Sequence, residues 1–257
     1  MKYDWLQTGG ERTPEVRWSD VSETCVFRSP NHQGSSMKLG SFVAILIGAM
    51  FIAGDGAAAE REYRSPSEFT NTLSSAPDFV VEGDLNGDGL SDRGILVGRQ
   101  EPKIYVLLRL PSGGFRVAQE SKMGNIMNTE VALTVQKGSL FVSLNHIDGI
   151  GVERGNYQFK LYKGVWRMIG LNHYISETST DQTTDRSVST DFNLLTGDVN
   201  FERGETGGKS AKSNPVSVRE KATGSACLLA DFDFDFLFCM ENWKTKKGLS
   251  VSSSMLP

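Results

Sequence analysis

The sequence predicts a mainly β protein, an antiparallel meander sheet or a sandwich and not a closed propeller, with one short N-terminal helix. Three observations carry that expectation. Apolar and β-branched runs such as Ile104–Leu110 recur at a spacing of roughly 8–12 residues between turn signals. Tyr157, Phe159 and Leu161 alternate with Gln158, Lys160 and Tyr162, the period of a strand with one buried face. Gly-containing pairs such as Lys137-Gly138 and Lys163-Gly164 separate such runs where a hairpin would turn.

The chain begins with segments that do not read as part of that fold. Met37–Ala59 has the pattern of a secretory signal peptide: Lys38 supplies the positive start, Phe42–Ala53 is apolar and uncharged, and Ala57-Ala58-Ala59 offers small residues for cleavage before Glu60. The run is short of the ~20 apolar residues a membrane helix needs, so no span is expected after cleavage. Residues 1–36 are polar and aperiodic and carry Pro14 and Pro30. They read as a spurious or disordered extension ahead of a natural start at Met37, or else as a long lead to the signal. Cys25 then falls outside the mature chain. Cys227 and Cys239 remain, an even pair in an oxidising compartment, and are expected to form a disulfide.

Residues 60–78 form a charged lead and the short helix. Ser65 can cap it, Pro66 suits its first turn, Phe69 and Leu73 share a face, and Ala76-Pro77 ends it. The β domain spans 79–203. Phe79-Val80-Val81 enters an acidic loop and Gly94–Val97 leaves it. Ile104–Leu110 and Phe115–Ala118 flank the turn Pro111–Gly114, and Val131–Val135 and Leu140–Leu144 flank Lys137-Gly138. The alternating run around Tyr157 turns at Lys163-Gly164 into Val165–Leu171. Ser176–Thr190, dense in Ser, Thr and Asp, reads as a long polar loop or a solvated hairpin tip. Thr190–Leu195 and Val199–Arg203 pair around Thr196-Gly197-Asp198. Residues 204–225, rich in Gly, Ser and Lys, read as a flexible linker. In the C-terminal tail, 226–257, Asp and Phe alternate from Asp231 to Phe236, as in an amphipathic edge strand. The same acids offer a weaker second cation site.

Chemistry concentrates in residues 84–92, Asp-Leu-Asn-Gly-Asp-Gly-Leu-Ser-Asp. Asp84, Asn86, Asp88 and Asp92 place oxygens at alternate and closing positions, Leu90 offers its backbone carbonyl, and Gly87 and Gly89 let the backbone curl. Calcium is a hard cation that takes about 6–8 oxygens at about 2.3–2.6 Å, and the three carboxylates would repel one another without a cation. An EF-hand is excluded, because its twelfth position must be a bidentate Glu and here it is Ile95.

This loop resembles the calcium loops of FG-GAP and VCBS-type repeats, which occur in integrin-like propellers and in many secreted bacterial proteins. The resemblance implies Ca2+ as the bound ion and Asp84, Asn86, Asp88, Leu90 and Asp92 as its ligands. Only one clear copy of the loop is present, with no period of roughly 40–60 residues, so a closed propeller is not expected. The stretch from about Val81 to Glu202 is also similar to a group of uncharacterised exported bacterial proteins. The shared segments are the loop, Leu107-Leu108-Arg109, Tyr157–Trp166 and Asn193–Gly197. That likeness implies a periplasmic or secreted location and calcium, but no reaction.

Other constellations offer less. Gly204–Ser210 is one residue short of a phosphate-binding P-loop and lies in the expected linker. His146 and His173, with Asp148 and Glu177 nearby, could form a zinc site or a hydrolase-like His/acid site. No nucleophile elbow or Cys–His pair is present. Tyr157, Tyr162 and Trp166 are read as core or interface. The formal charge of −4 is nearly neutral for a chain of 257 residues and shows no basic stripe, which argues against nucleic acid. The expected function is therefore an exported calcium-binding β protein of the cell envelope, a non-catalytic binding or structural module whose partner is a protein or glycan of the envelope. The alternative is a periplasmic hydrolase-like enzyme.

Overall fold

Alternating side chains and tight turns produce two antiparallel sheets. The computed structural model describes residues 61–149, 151–178, 184–207, 216–248 and 251. The extension over 1–36, the signal peptide over 37–59 and Cys25 lie outside those residues.

The first sheet holds β1 (Glu62–Tyr63), β2 (Pro77–Gly83), β3 (Asp92–Val97), β4 (Lys103–Arg109) and β5 (Phe115–Glu120), in the order β1-β5-β4-β3-β2. Between β1 and β2 lies the short helix α1 (Pro66–Thr70). Ser65 caps it as expected, its hydroxyl oxygen accepting the Glu68 amide at 3.2 Å. The second sheet is an eight-stranded meander in chain order: β6 (Thr129–Gln136), β7 (Ser139–Ile147), β8 (Gly151–Tyr162), β9 (Val165–Thr178), β10 (Thr184–Asn193), β11 (Asp198–Gly207), β12 (Val216–Thr223) and β13 (Lys244–Thr245). No barrel closes. Two of its hairpins turn on Lys-Gly pairs with positive φ at both residues, 49° and 70° at Lys137-Gly138 and 53° and 80° at Lys163-Gly164. That geometry matches the right-handed twist of the flanking strands.

The inner face of the second sheet, with Leu140, Val142, Tyr157, Phe159, Met168 and Phe192, packs in one core with Leu96, Ile104, Val106 and Leu108 of the first. A smaller core lies on the first sheet's other face, where Phe69 of α1 covers Ile95, Val97, Leu107 and Phe115. Strands β3 and β4 are thus covered on both faces. This explains why Ile104–Leu110 reads as a continuous apolar run and not as an alternating one.

Two expectations are corrected. The linker over 204–225 is largely strand: β11 runs to Gly207, and β12 pairs with it from Arg203↔Val216 to Asp198↔Lys221. Residues 208–215 lie outside the described residues, while Val216 and Val218 carry the strand period. The alternating Asp-Phe segment is not an edge strand. A 3-10 turn at Leu229–Asp231 and a positive φ of 66° at Phe234 break any extended run. The segment still sends Phe232 and Phe234 into the main core, joined there by Phe238, Met240 and Trp243. The C-terminal tail is therefore a cap on the meander.

A disulfide braces that cap internally, and a hydrogen bond fastens it to the meander. Cys227 and Cys239 form the expected disulfide, their Cα atoms 5.8 Å apart. Tyr157 Oη donates to the Phe236 carbonyl at 2.8 Å. The Tyr157 ring reaches it by lying over Gly155, where a Cβ would come within 2.6 Å of Oη. Ser176–Thr190 takes the hairpin form of its two readings, with β9 running to Thr178 and β10 starting at Thr184.

Candidate metal centre

Residues 84–91 connect β2 to β3, and the pair Gly83↔Asp92 closes the hairpin beneath them. Gly87 and Gly89 take φ of 84° and 82°. A Cβ at either would meet nothing within 4 Å, so backbone conformation and not space requires glycine there. These two left-handed residues curl the loop so that its amides face its own side chains. The Gly87 and Gly89 amides donate to Asp84 Oδ1 and Oδ2, at 2.7 and 2.9 Å. The Asp88 amide donates to Asn86 Oδ1 at 3.0 Å, and the Leu90 amide to Asp88 Oδ1 at 2.8 Å. Asn86 Nδ2 donates to Asp88 Oδ2 at 2.9 Å.

Asp92 stands apart. It is fully buried, and its two oxygens accept amides from different places: Leu85 in the loop and Arg109 at the end of β4, each at 2.8 Å. It ties the loop to the first sheet, and buried Leu85 adds an apolar anchor beneath.

Electrostatics follow this geometry. The Gly89 amide, with help from other loop amides, holds the Asp84 carboxyl below its ordinary range. Burial pushes the Asp92 carboxyl up. The Arg109 and Leu85 amides work against that shift, and the charges of Asp88 and Asp84 reinforce it.

The donor set suits a hard cation, with oxygen ligands only and three negative charges. A carboxylate oxygen that accepts one amide keeps a further lone pair. The Asn86–Asp88 side-chain bond is the contact that competes most directly with an ion. Among the described residues, no three His, Cys, Asp or Glu side chains are gathered into a preformed metal cage. Beside the loop runs a groove lined by Asp84, Asn86, Lys137 and Lys160, where the β6–β7 turn comes close.

The histidines fall elsewhere, on β7 and β9. His146 Nδ1 lies 3.1 Å from the Asn128 carbonyl, and Nε2 is 3.9 Å from Asp148 Oδ2. His173 is fully buried and its Nε2–H donates to Glu153 Oε1 at 2.8 Å, while Nδ1 has no partner. Glu153 is cross-strand partner to His146, so one acid on β8 faces both histidines. Sequence spacing singled out Glu177 and missed Glu153, because only strand register brings Glu153 across. Tyr157 and Trp166 are core residues, and Tyr162 is partly exposed with the Arg167 guanidinium 4.4 Å from its ring centre. Gly204 and Glu205 of the P-loop-like stretch sit in β11 opposite Ser187 and Arg186, and 208–210 lie outside the described residues. Of the tail acids, Asp231 lies 3.6 Å from Lys122 Nζ, and Asp235 Oδ1 accepts the Leu237 amide.

No protein-family model matches this chain, and no curated protein or solved structure is similar to it.

Proposed function

We propose that this chain is an exported calcium-binding β protein of the cell envelope that works as a non-catalytic binding or structural module. Its Ca2+ ligands are Asp84, Asn86, Asp88, the Leu90 carbonyl and Asp92, as the likeness to FG-GAP and VCBS-type loops implies. The observation that carries this reading is geometric: left-handed Gly87 and Gly89 curl one tight hairpin loop that carries the carboxylates of Asp84, Asp88 and Asp92. A divalent cation held among them would offset their mutual repulsion. Binding would exchange the Asn86–Asp88 side-chain bond for metal ligation, while the amide contacts that shape the loop can stay.

Two further features support the reading. The Cys227–Cys239 disulfide suits an oxidising compartment such as the periplasm or the exterior. Among the described residues, no helix is long and apolar enough to cross a membrane. The hydrolase-like alternative finds less support. His173 and Glu153 make a close His–acid contact, but the His173 ring is sealed from any substrate.

Calorimetric titration of the full chain with calcium, alongside thermal melts, tests the proposal. Extracellular calcium modules bind with Kd of about 10⁻⁴–10⁻³ M. Calcium at about a hundred times Kd stabilises by about 2.7 kcal/mol. Asp88→Ala is expected to abolish the calcium-dependent rise in Tm, and an unchanged rise in that variant rejects the ligand assignment.

A further inference from the structure

Where β13 ends, a second concavity opens at the edge of the meander, lined by Asp198, Arg219, Glu220, Lys221, Lys246 and Lys247. Among the described residues, β13 covers β12 only at Ala222 and Thr223. The chain then turns away, and the Gly248 amide closes that turn on the Thr245 carbonyl at 2.9 Å. This turn sets Lys246 and Lys247 beside the uncovered edge of β12, where Arg219 and Lys221 stand.

The charges there do not cancel. Four cations face two carboxylates, and each carboxylate is already engaged. Lys221 Nζ lies 2.7 Å from Asp198 Oδ1 and also donates to the Thr196 carbonyl at 3.2 Å. The hydrogen bond from Lys221 holds the Asp198 carboxyl below its ordinary range. Lys247 Nζ lies 3.4 Å from Glu220 Oε1. Arg219 and Lys246 are exposed and have no carboxylate partner among the described residues. Two paired lysines thus build the walls, and two positive charges remain in a chain whose formal net charge is −4.

We propose that this concavity binds a phosphate-bearing dianion, with Arg219 and Lys246 as its ligands. A phosphomonoester carries a charge of roughly −1.5 to −2 at neutral pH, which matches the unpaired excess. Arg219 supplies the planar fork that engages two phosphate oxygens at once, and Lys246 supplies a compact point charge. The site is independent of the calcium loop. Its ligand can be a soluble phosphomonoester or the headgroup of a phosphate-bearing lipid, which share this chemistry.

The test titrates the full chain, in calcium-free buffer at low ionic strength, with inorganic phosphate and separately with phosphatidylcholine vesicles carrying phosphatidic acid. Saturable phosphate binding is expected, falling at least about tenfold in Arg219→Gln/Lys246→Gln and weakening as salt screens the two charges. Lost binding to the phosphatidic acid vesicles in that variant, against pure phosphatidylcholine as the baseline, identifies a headgroup. Loss confined to inorganic phosphate identifies a soluble ligand. Arg219→Lys, which keeps the charge and removes the fork, is expected to weaken phosphate binding less than the glutamine pair does. Absence of binding to both probes overturns the proposal. So does equal binding by the glutamine variant.

Discussion

Both oxygens of Asp92 accept amides, one from the loop and one from the end of β4, so this side chain joins two parts of the first sheet at a point no water reaches. Asp92→Ala removes the acceptor of the buried Leu85 amide and of the partly buried Arg109 amide. At about 1–3 kcal/mol for each unsatisfied donor, the variant should lose about 2–6 kcal/mol in calcium-free urea unfolding. Asp88 is exposed, and Asp88→Ala should cost little without calcium but remove the response to it. The contrast separates a residue that builds the loop from one that serves only as a proposed calcium ligand. Acid acts on the two ends of the loop in opposite senses. Asp92, with its carboxyl raised, binds a proton more tightly folded than unfolded, so its contribution to stability grows as pH falls through its folded value towards 3.8. The lowered Asp84 contributes stability that is lost only below 3.8, as pH falls through its folded value. In the proposed site, protons also compete with calcium for Asp92. The calcium-dependent rise in Tm should therefore be full at neutral pH and begin to shrink while the pH is still above 3.8, as melts over a pH series would show. The curled loop was legible in the sequence because its spacing is local. The Arg109 amide that holds Asp92 was not, because it arrives from 17 residues away through the pairing of β3 with β4.

Hairpins carry most of the architecture, and their turns were legible for a steric reason. Positive φ at two successive residues leaves few choices, and the second position in both Lys-Gly turns is glycine. Gly164→Val should cost about 1–2 kcal/mol in chemical denaturation, since open space around the site leaves only the left-handed backbone to penalise it. The polar connections were harder to read. Gly, Ser and Lys over 204–225 suggested a linker, yet β11 and β12 pair through most of it. A strand at the meander's margin needs little apolar content, because its neighbour supplies the hydrogen bonds. The Asp-Phe segment shows the reverse error. Its period of two is that of a strand, but the phenylalanines reach the core through turns. The disulfide closes a short loop there, with a sequence separation of 12. Replacing both cysteines by serine should cost about 3 kcal/mol in the chain-entropy account, read as a lower urea midpoint.

Across the molecule, the second sheet cannot bury its inner face alone. The first sheet covers part of it, and the C-terminal cap covers more. Phe232 packs on both Tyr157 and Phe159, with ring centres 5.1 and 5.2 Å apart, and Trp243 meets Phe192 edge-on at 4.9 Å. Phe232→Ala should therefore cost about 3–5 kcal/mol, the range for truncating a buried aromatic side chain, as measured by equilibrium unfolding. Charge is also arranged by the whole fold. No stretch of the sequence reads as a basic stripe, yet Arg219 and Lys221 of β12 meet Lys246 and Lys247 across the last turn.

Strand class, helix cap, hairpin turns and the oxygen-rich loop all follow from residues within a few positions of one another, where sterics and side-chain period act through the chain itself. Long-range partnerships do not: Glu153 with His173, Asp92 with Arg109, the cap over Tyr157 and the cations around β12 depend on which strands become neighbours. Many registers satisfy the same local preferences. Burial of the shared core selects one of them, and that selection creates every contact that no short stretch of sequence contains.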